Sequence, residues 1–413
     1  MSAEFQVRAM LSRRRSLAGL LATTAVFVAG CSNNSSIFSS NPNLFSNAPA
    51  TAAAGTPEPA PEATIGTGQV KVALILPLSA GGNAGLAGQA MRNAADMALA
   101  EFSAPNVQLL VKDDAGNADT ARAAAQQALD EGAEIILGPL FAQSVSVVGQ
   151  MARQRNIPVI AFSTDANVAS SGVYLLSFLP ETDVWRIVQY AASNGKRSYA
   201  ALVPDNPYGT VVEAAFRQDV ARHNGQIVAL EHYPHDKAAM AVPIKTVAQA
   251  AVRADALLIP DGGDAVPDVV QMLVGSGLNT KKIQLLGTGL WDDPRIYSTP
   301  ALDGGWYAAP DSAGYRSFTT RYRSRYNQDP VRTATLAYDA VALVAALVKT
   351  QQNPQQRFSP QVLTNPSGFT GIDGLFRFRS DGTNERGLAV LRVSQGGAQI
   401  ISPPPRSFGT SGI

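Results

Sequence analysis

The sequence predicts an α/β protein built from two doubly wound, parallel-sheet domains. Three observations predict it. From Val70 onward, short apolar runs of strand length alternate with longer stretches of helical period. The runs are almost continuously apolar, as in Val70–Leu76, which suits strands covered by helices on both faces. The pattern also extends over roughly 330 residues, more than a single core holds, so the chain divides into two.

Val70–Leu76 is the first strand, ended by Pro77, and Ser79-Ala80-Gly81-Gly82-Asn83 turns the chain into a helix from about Leu86 to Phe102. A loop entering a helix N-terminus offers unpaired N–H groups and a partial positive charge. Val107–Lys112 is the second strand. Ala118–Glu131 is an Ala-rich helix closed by Gly132. Glu134–Leu137 is stopped by Gly138-Pro139, Ser144–Arg155 is helical, and Pro158–Phe162 and Val173–Phe178 are strands. After the helix Thr182–Asn194 a second series begins. Its strands are Tyr199–Val203, Gln226–His232, Ala256–Ile259 and Gln284–Leu286. Its helices end near His223, cover Ile244–Arg253 and cover Pro267–Gly275. Tyr315–Asn327 and Thr333–Thr350 are helices. Gly374–Phe378 and Leu388–Val393, around Ser380-Asp381-Gly382-Thr383, read as a β-hairpin.

Ligands of such sheets bind beyond the carboxyl ends of the strands. The residues that fall there are Ser79, Gly82 and Asn83, then Gln143 and Ser144, then Ser163, Thr164 and Asp165, and finally Tyr208, Asp261 and Trp291. Asp261 and Asp264 flank a Gly-Gly turn, so a turn role competes with recognition. Tryptophans are more often core than ligand platforms, and Trp291 is retained because it follows a strand end.

The ends are of another character. Arg8, Arg13, Arg14 and Arg15 precede the apolar Leu17–Ala29, which is too short for a comfortable bilayer span. The segment ends in Val28-Ala29-Gly30-Cys31, which resembles the bacterial lipobox. That resemblance implies cleavage after residue 30 and lipidation of Cys31, the only cysteine in the chain. Ser12-Arg13-Arg14-Arg15-Ser16-Leu17 also resembles a twin-arginine export signal. Removing residues 1–30 takes away four Arg and one Glu and leaves 29 basic and 31 acidic residues, a net charge of −2. Such a balance excludes a basic nucleic-acid-binding surface as the organising feature. Residues 31–69, rich in Ser, Asn, Pro, Ala and Thr, read as a disordered linker, and residues 402–413 as a loose tail.

The chain lacks G-x-S-x-G, G-x-x-x-x-G-K-[ST] and H-E-x-x-H. Its three histidines, His223, His232 and His235, are too few beside an acylated cysteine to complete a metal site. Asp113-Asp114 suits loop capping better than an acid–base pair. No enzyme, cofactor or metal is expected. Arg321-Tyr322-Arg323-Ser324-Arg325-Tyr326 reads as a solvated helix face, with a partner surface as the alternative.

The chain carries Ile75-Leu76-Pro77-Leu78-Ser79, Lys112-Asp113-Asp114, Ile136-Leu137-Gly138-Pro139-Leu140, Ile157-Pro158-Val159-Ile160, Asn206-Pro207-Tyr208-Gly209 and Phe376-Arg377-Phe378. In this order and spacing these motifs resemble the type I periplasmic binding proteins, the leucine/isoleucine/valine-binding or ABC-transporter receptor family. The resemblance covers about Val70 to Val393. It implies two Rossmann-like lobes joined by three crossovers, with a ligand in the hinge cleft. Lobe one would be 70–181 plus 311–368, and lobe two 182–310 plus 369–401.

Carried over residue by residue, the resemblance places the carboxylate-binding hydroxyl at Ala142, the amine-binding threonine at Asp165 and the lobe-two acid near Gly289. Aromatic positions fall near Ala87 and Gly262–Gly263, and only the lobe-two tyrosine matches, as Tyr208. The resemblance thus implies a lipid-anchored receptor on the periplasmic side. Its partners would be an amino-acid-like or another small polar solute and an ABC permease. A second branch of the resemblance, the penicillin-binding protein activator lipoproteins, implies a peptidoglycan synthase as partner and no small ligand.

Overall fold

The computed structural model describes residues 64–408. The leader, Cys31 and most of the linker lie outside the described residues. The chain begins with β1 (Thr64–Ile65), β2 (Val70–Leu76), α1 (Gly82–Glu101), β3 (Val107–Asp113), α2 (Ala118–Asp130), β4 (Ile135–Leu137), α3 (Ala142–Gln154), β5 (Val159–Ala161) and β6 (Val173–Leu175). These strands form one sheet in the order β1-β3-β2-β4-β5-β6, parallel except for β1. Val70 stands opposite Val107 and Ala73 opposite Ile136. Every residue of β2 except Lys71 is buried, as its unbroken apolar run predicts. β1 pairs Thr64 with Leu110, so the linker's last residues are an edge strand and not disordered chain.

The second series runs α4 (Pro180–Ser193), β7 (Ser198–Pro204), α5 (Pro207–Arg222), β8 (Gln226–Tyr233), α6 (Lys237–Ala251), β9 (Ala256–Leu258), α7 (Val266–Gly275), β10 (Gln284–Gly287), α8 (Pro294–Tyr297) and β11 (Trp306–Ala309). The chain then returns to lobe one with α9 (Ser312–Tyr326), α10 (Ala334–Thr350) and α11 (Pro360–Leu363). It closes with β12 (Phe369–Gly371), β13 (Gly374–Phe378), β14 (Asn384–Arg386), β15 (Ala389–Ser394) and β16 (Gly397–Ser402). The second sheet has the order β16-β15-β11-β10-β9-β7-β8, with β15 antiparallel to β11.

Two expectations are corrected here. β13 pairs with β14, not with the strand after Leu388, which joins β11 in the second sheet. Phe376 and Phe378 belong to the core built by β2, β3, α1 and α10, so 369–386 packs with lobe one and the chain crosses over at Gly387. The reason is hydrophobic: both phenylalanines are almost fully buried there, each worth about 1.5–3 kcal/mol over exposure. The tail is also partly placed, since the Arg377 guanidinium lies 4.5 Å from the Phe408 ring.

The basic-aromatic run of α9 is mostly spent within the molecule. Tyr322 is buried, Arg321 pairs with Glu101, Arg325 with Asp96 at 2.8 Å, and Tyr326 donates to the Asn93 carbonyl at 2.7 Å. These contacts fasten α9 to α1.

Candidate functional site

Three crossovers join the lobes, at Ser177–Leu179, Pro310–Asp311 and Gly387–Leu388. A cavity of about 500 Å³ opens beside them. Lobe one lines it with Thr164, Tyr315, Arg316 and Arg332, and lobe two with Asp183, Tyr208 and Gly289. Phe178 and Pro180 of the first crossover complete the wall.

Local chemistry positions each group. Asn206 caps α5 by accepting from the Gly209 N–H at 2.8 Å, and Pro207 fits the first helical position. Tyr208 is thereby set in the first turn, its hydroxyl 2.9 Å from Thr288 Oγ1. Burial pushes its phenol far above the usual range. Asp183 sits in the first turn of α4, where a carboxylate suits the helix dipole. The Gly289 N–H donates to its Oδ2 at 2.9 Å. Burial pushes Asp183 up to about 7, opposed by that N–H and by the Arg386 charge.

Behind the cavity lies a buried charge network. Arg332 donates to Asp373 Oδ2 at 3.0 Å and also to Oδ1, and Thr335 Oγ1 donates to Asp373 at 2.6 Å. The Arg332 guanidinium lies 4.6 Å from the Phe178 ring and 4.5 Å from the Tyr315 ring. Arg386 is 2% exposed, and its Nε donates to the Ser177 carbonyl at 2.8 Å. Its Nη1 and Nη2 have no hydrogen-bond partner among the described residues, and it lies 4.7 Å from the other guanidinium's neighbour, Phe178. Burial lowers its pKa against the pull of Asp373, Asp339 and Asp183. Asp339, a lone acid in the apolar α10, accepts from the Ile372 N–H at 2.7 Å and is pushed up to about 7 by burial.

Of the residues expected from sequence, the structure brings Thr164 and Tyr208 to this cavity. Ser79 donates its N–H to Asp113 Oδ1 at 3.2 Å, and Gln143 bonds to the Gly116 carbonyl at 3.1 Å. Gly82 and Asn83 form the exposed first turn of α1. Ser144 is buried beside Asp114, whose carboxyl burial raises to about 6. Ser163 accepts from the Asp165 N–H at 3.1 Å, and Asp165 in turn caps the next turn by accepting from the Asn167 N–H at 3.0 Å. Asp261 is buried and receives hydrogen bonds from Tyr233 and His235, both at 2.7 Å. Trp291 is fully buried and donates to the Ile259 carbonyl at 3.0 Å, its ring stacked where a side chain at Gly287 would lie. Sequence reasoning did not find Asp183, Arg332, Tyr315, Arg316 or Arg386. They lie in α4, in α9, in the turn between α9 and α10 and in the short antiparallel β14, not in the loops after the parallel strands.

Among the described residues no group of three or more His, Cys, Asp or Glu could hold a metal ion, and no helix is long and apolar enough to cross a membrane.

The family model described as periplasmic binding protein matches residues 69–398. The periplasmic ligand-binding protein of a branched-chain amino acid ABC transporter from Burkholderia xenovorans LB400 is similar in structure. Its TM-score is 0.66 at 19% identity, over 83% of this chain and 97% of that one. An ABC transporter substrate-binding protein from Desulfitobacterium hafniense in complex with Leu gives a TM-score of 0.59 at 16% identity, over 80% of this chain and 99% of that one. A solute-binding protein from R. palustris in complex with benzoate gives 0.58 at 17% identity, over 84% and 99%. At such identities these likenesses show the fold. An uncharacterized protein of Rickettsia prowazekii (strain Madrid E) is 22% identical over 114 residues, 28% of this chain; the match spans 30% of that relative's length.

Proposed function

The chain belongs to the periplasmic binding protein family, and from that premise we propose that it is the extracytoplasmic solute-binding receptor of an ABC-type importer. Its ligand is a small polar, amino-acid-like solute, and its partner is the importer's permease. The reading is one of binding and not of catalysis. The observation that carries it is the cavity of about 500 Å³ at the hinge, lined from both lobes and by a crossover. That volume lies within the range of small-molecule sites, and a mostly apolar wall with a few polar groups is their usual make-up. A ligand held by both lobes stabilises the arrangement that brings them together.

The anchor belongs to the same proposal. Lipidation at Cys31 after export holds the receptor at the membrane, and the Pro- and Ser-rich stretch after it spaces the folded part from the surface.

A melting-temperature screen against amino acids, short peptides and aromatic acids tests the reading. A ligand at ~100 times its dissociation constant adds about 2.7 kcal/mol of stability. At least one of these solutes should raise the melting temperature, with 1:1 stoichiometry by calorimetry. No shift across the whole set would overturn the receptor reading.

A further inference from the structure

We infer that the pole of lobe two at the amino ends of its parallel strands docks on an anionic phospholipid membrane. The inference goes beyond the receptor reading and stands apart from it. β7 to β11 run parallel, so the loops entering them gather at one end of the sheet. The cations of these loops and of the helix ends beside them are Lys196, Arg197, Arg222, Arg253, Lys281 and Lys282. The acids are Asp219, Asp255 and Asp303, and each is engaged. Arg222 reaches Asp219 at 3.0 Å, and Lys281 reaches Asp303 at 3.4 Å. Asp255 accepts from the Arg197 and Ser198 N–H groups at 2.8 and 2.9 Å. Arg253 and Lys282 are exposed and pair with no acid among the described residues. The pole thus carries three more cations than acids, on a mature chain whose net charge is −2.

The carboxyl ends of α4 to α7 also point here, and a cation beside a helix carboxyl end complements its dipole. That accounts for Lys196, Arg222 and Arg253, but not for Lys281 and Lys282 in the loop before β10. Nor does it account for two valines among these cations. Val252 is 71% exposed and Val274 47% exposed. They stand at the ends of α6 and α7, which pack side by side. Apolar side chains flanked by cations suit the headgroup boundary of an anionic bilayer, where the cations meet lipid phosphates and the methyl groups reach the acyl chains. A free phosphate or a nucleic acid would use the cations and leave the valines in water. The lipid proposed at Cys31 brings the protein to such a surface. The chain from Cys31 to Thr64 can span roughly 100 Å when extended, so the anchor leaves this pole free to settle on the membrane.

The test is sedimentation of the mature chain from residue 31 with vesicles, with Cys31→Ser so that no lipid is attached. The probes are vesicles of equal parts phosphatidylglycerol and phosphatidylcholine, vesicles of phosphatidylcholine alone, inorganic phosphate and a duplex DNA. The protein should sediment with the anionic vesicles and not with the neutral ones, and added salt should release it. Arg253→Gln together with Lys282→Gln should weaken vesicle binding roughly twentyfold, at about fivefold per cation, and leave the melting temperature unchanged. Val252→Ser together with Val274→Ser should weaken it severalfold without changing its salt dependence. No sedimentation with the anionic vesicles would overturn the inference, and so would equal binding to the neutral ones. Release by inorganic phosphate but not by chloride of equal ionic strength would overturn it in favour of a free-phosphate site. Tighter binding of the DNA than of the vesicles would overturn it in favour of nucleic acid. Equal vesicle binding by the Arg253 and Lys282 variant would assign the contact to another face. If one pair of substitutions does not fold, the other pair still decides. The solute reading is tested separately by thermal shift and survives any of these outcomes.

Discussion

Arg386 donates through Nε to the Ser177 carbonyl at 2.8 Å, which ties the third crossover between the lobes to the first. Asn384 adds bonds to the Leu175 and Ser177 carbonyls at 2.9 and 2.8 Å. The hinge is therefore a bonded seam of buried polar groups, with Asp373 and Asp339 offsetting the guanidinium charge. Arg386→Ala leaves those groups without their cation. We expect a loss of about 3–5 kcal/mol in urea unfolding. A loss below about 1 kcal/mol would show that the seam contributes little.

Trp291 and Asp261 face inward, so their substitution should cost stability first. Trp291→Ala removes a fully buried indole and should cost about 3–5 kcal/mol. Asp261→Ala leaves the buried Tyr233 hydroxyl without its acceptor and should cost about 1–3 kcal/mol. A variant of either that keeps its melting temperature but loses solute binding would contradict this placement.

Tyr208→Phe should destabilise by about 1–2 kcal/mol, because the buried Thr288 hydroxyl loses its partner. Chemical denaturation reads this directly. An unchanged midpoint would mean that water or another group replaces the phenol.

Stability should fall as the pH rises from about 4 to 7. Burial raises Asp183 and Asp339 to about 7 and Asp114 and Asp219 to about 6, against 3.8 for the ordinary carboxyl. Between these values the folded protein holds protons that the unfolded chain has released. The stabilisation is complete below the ordinary value and is lost as the pH passes through the raised ones. His235, raised by its hydrogen bond to Asp261, acts in the same direction at higher pH. Asp255, held low by the Arg197 and Ser198 N–H groups, acts in reverse under acid. Melting curves across this range check the sign, and Asp339→Asn should flatten the fall.

The alternation of strands and helices was legible because burial on both faces leaves an unbroken apolar run, as in Val70–Leu76. Pairing was less so. Leu388–Val393 is an acceptable strand for either sheet, and only the three-dimensional edge beside Trp306–Ala309 selects one. α6 begins at Lys237 although Pro243 lies inside it, because Asp236 caps its start; the proline hid that first half. Strand-end loops led to Thr164 and Tyr208. Asp183 reads in sequence as an ordinary first-turn acid, and Arg332 and Asp373 are brought together only by folding. One signal was available: Asp339 is a lone acid in an otherwise apolar helix, and a buried charge there requires a partner.

Gly289→Leu tests most directly whether solute occupies the hinge cavity, since Gly289 lines it and a side chain there points toward Asp183. The measurement is calorimetric titration of the folded variant and the unaltered protein with the amino acid that gives the largest thermal shift. The unaltered protein should bind one equivalent, and the variant should show no detectable heat at the same concentrations. Equal binding by both would place the solute elsewhere and contradict the account.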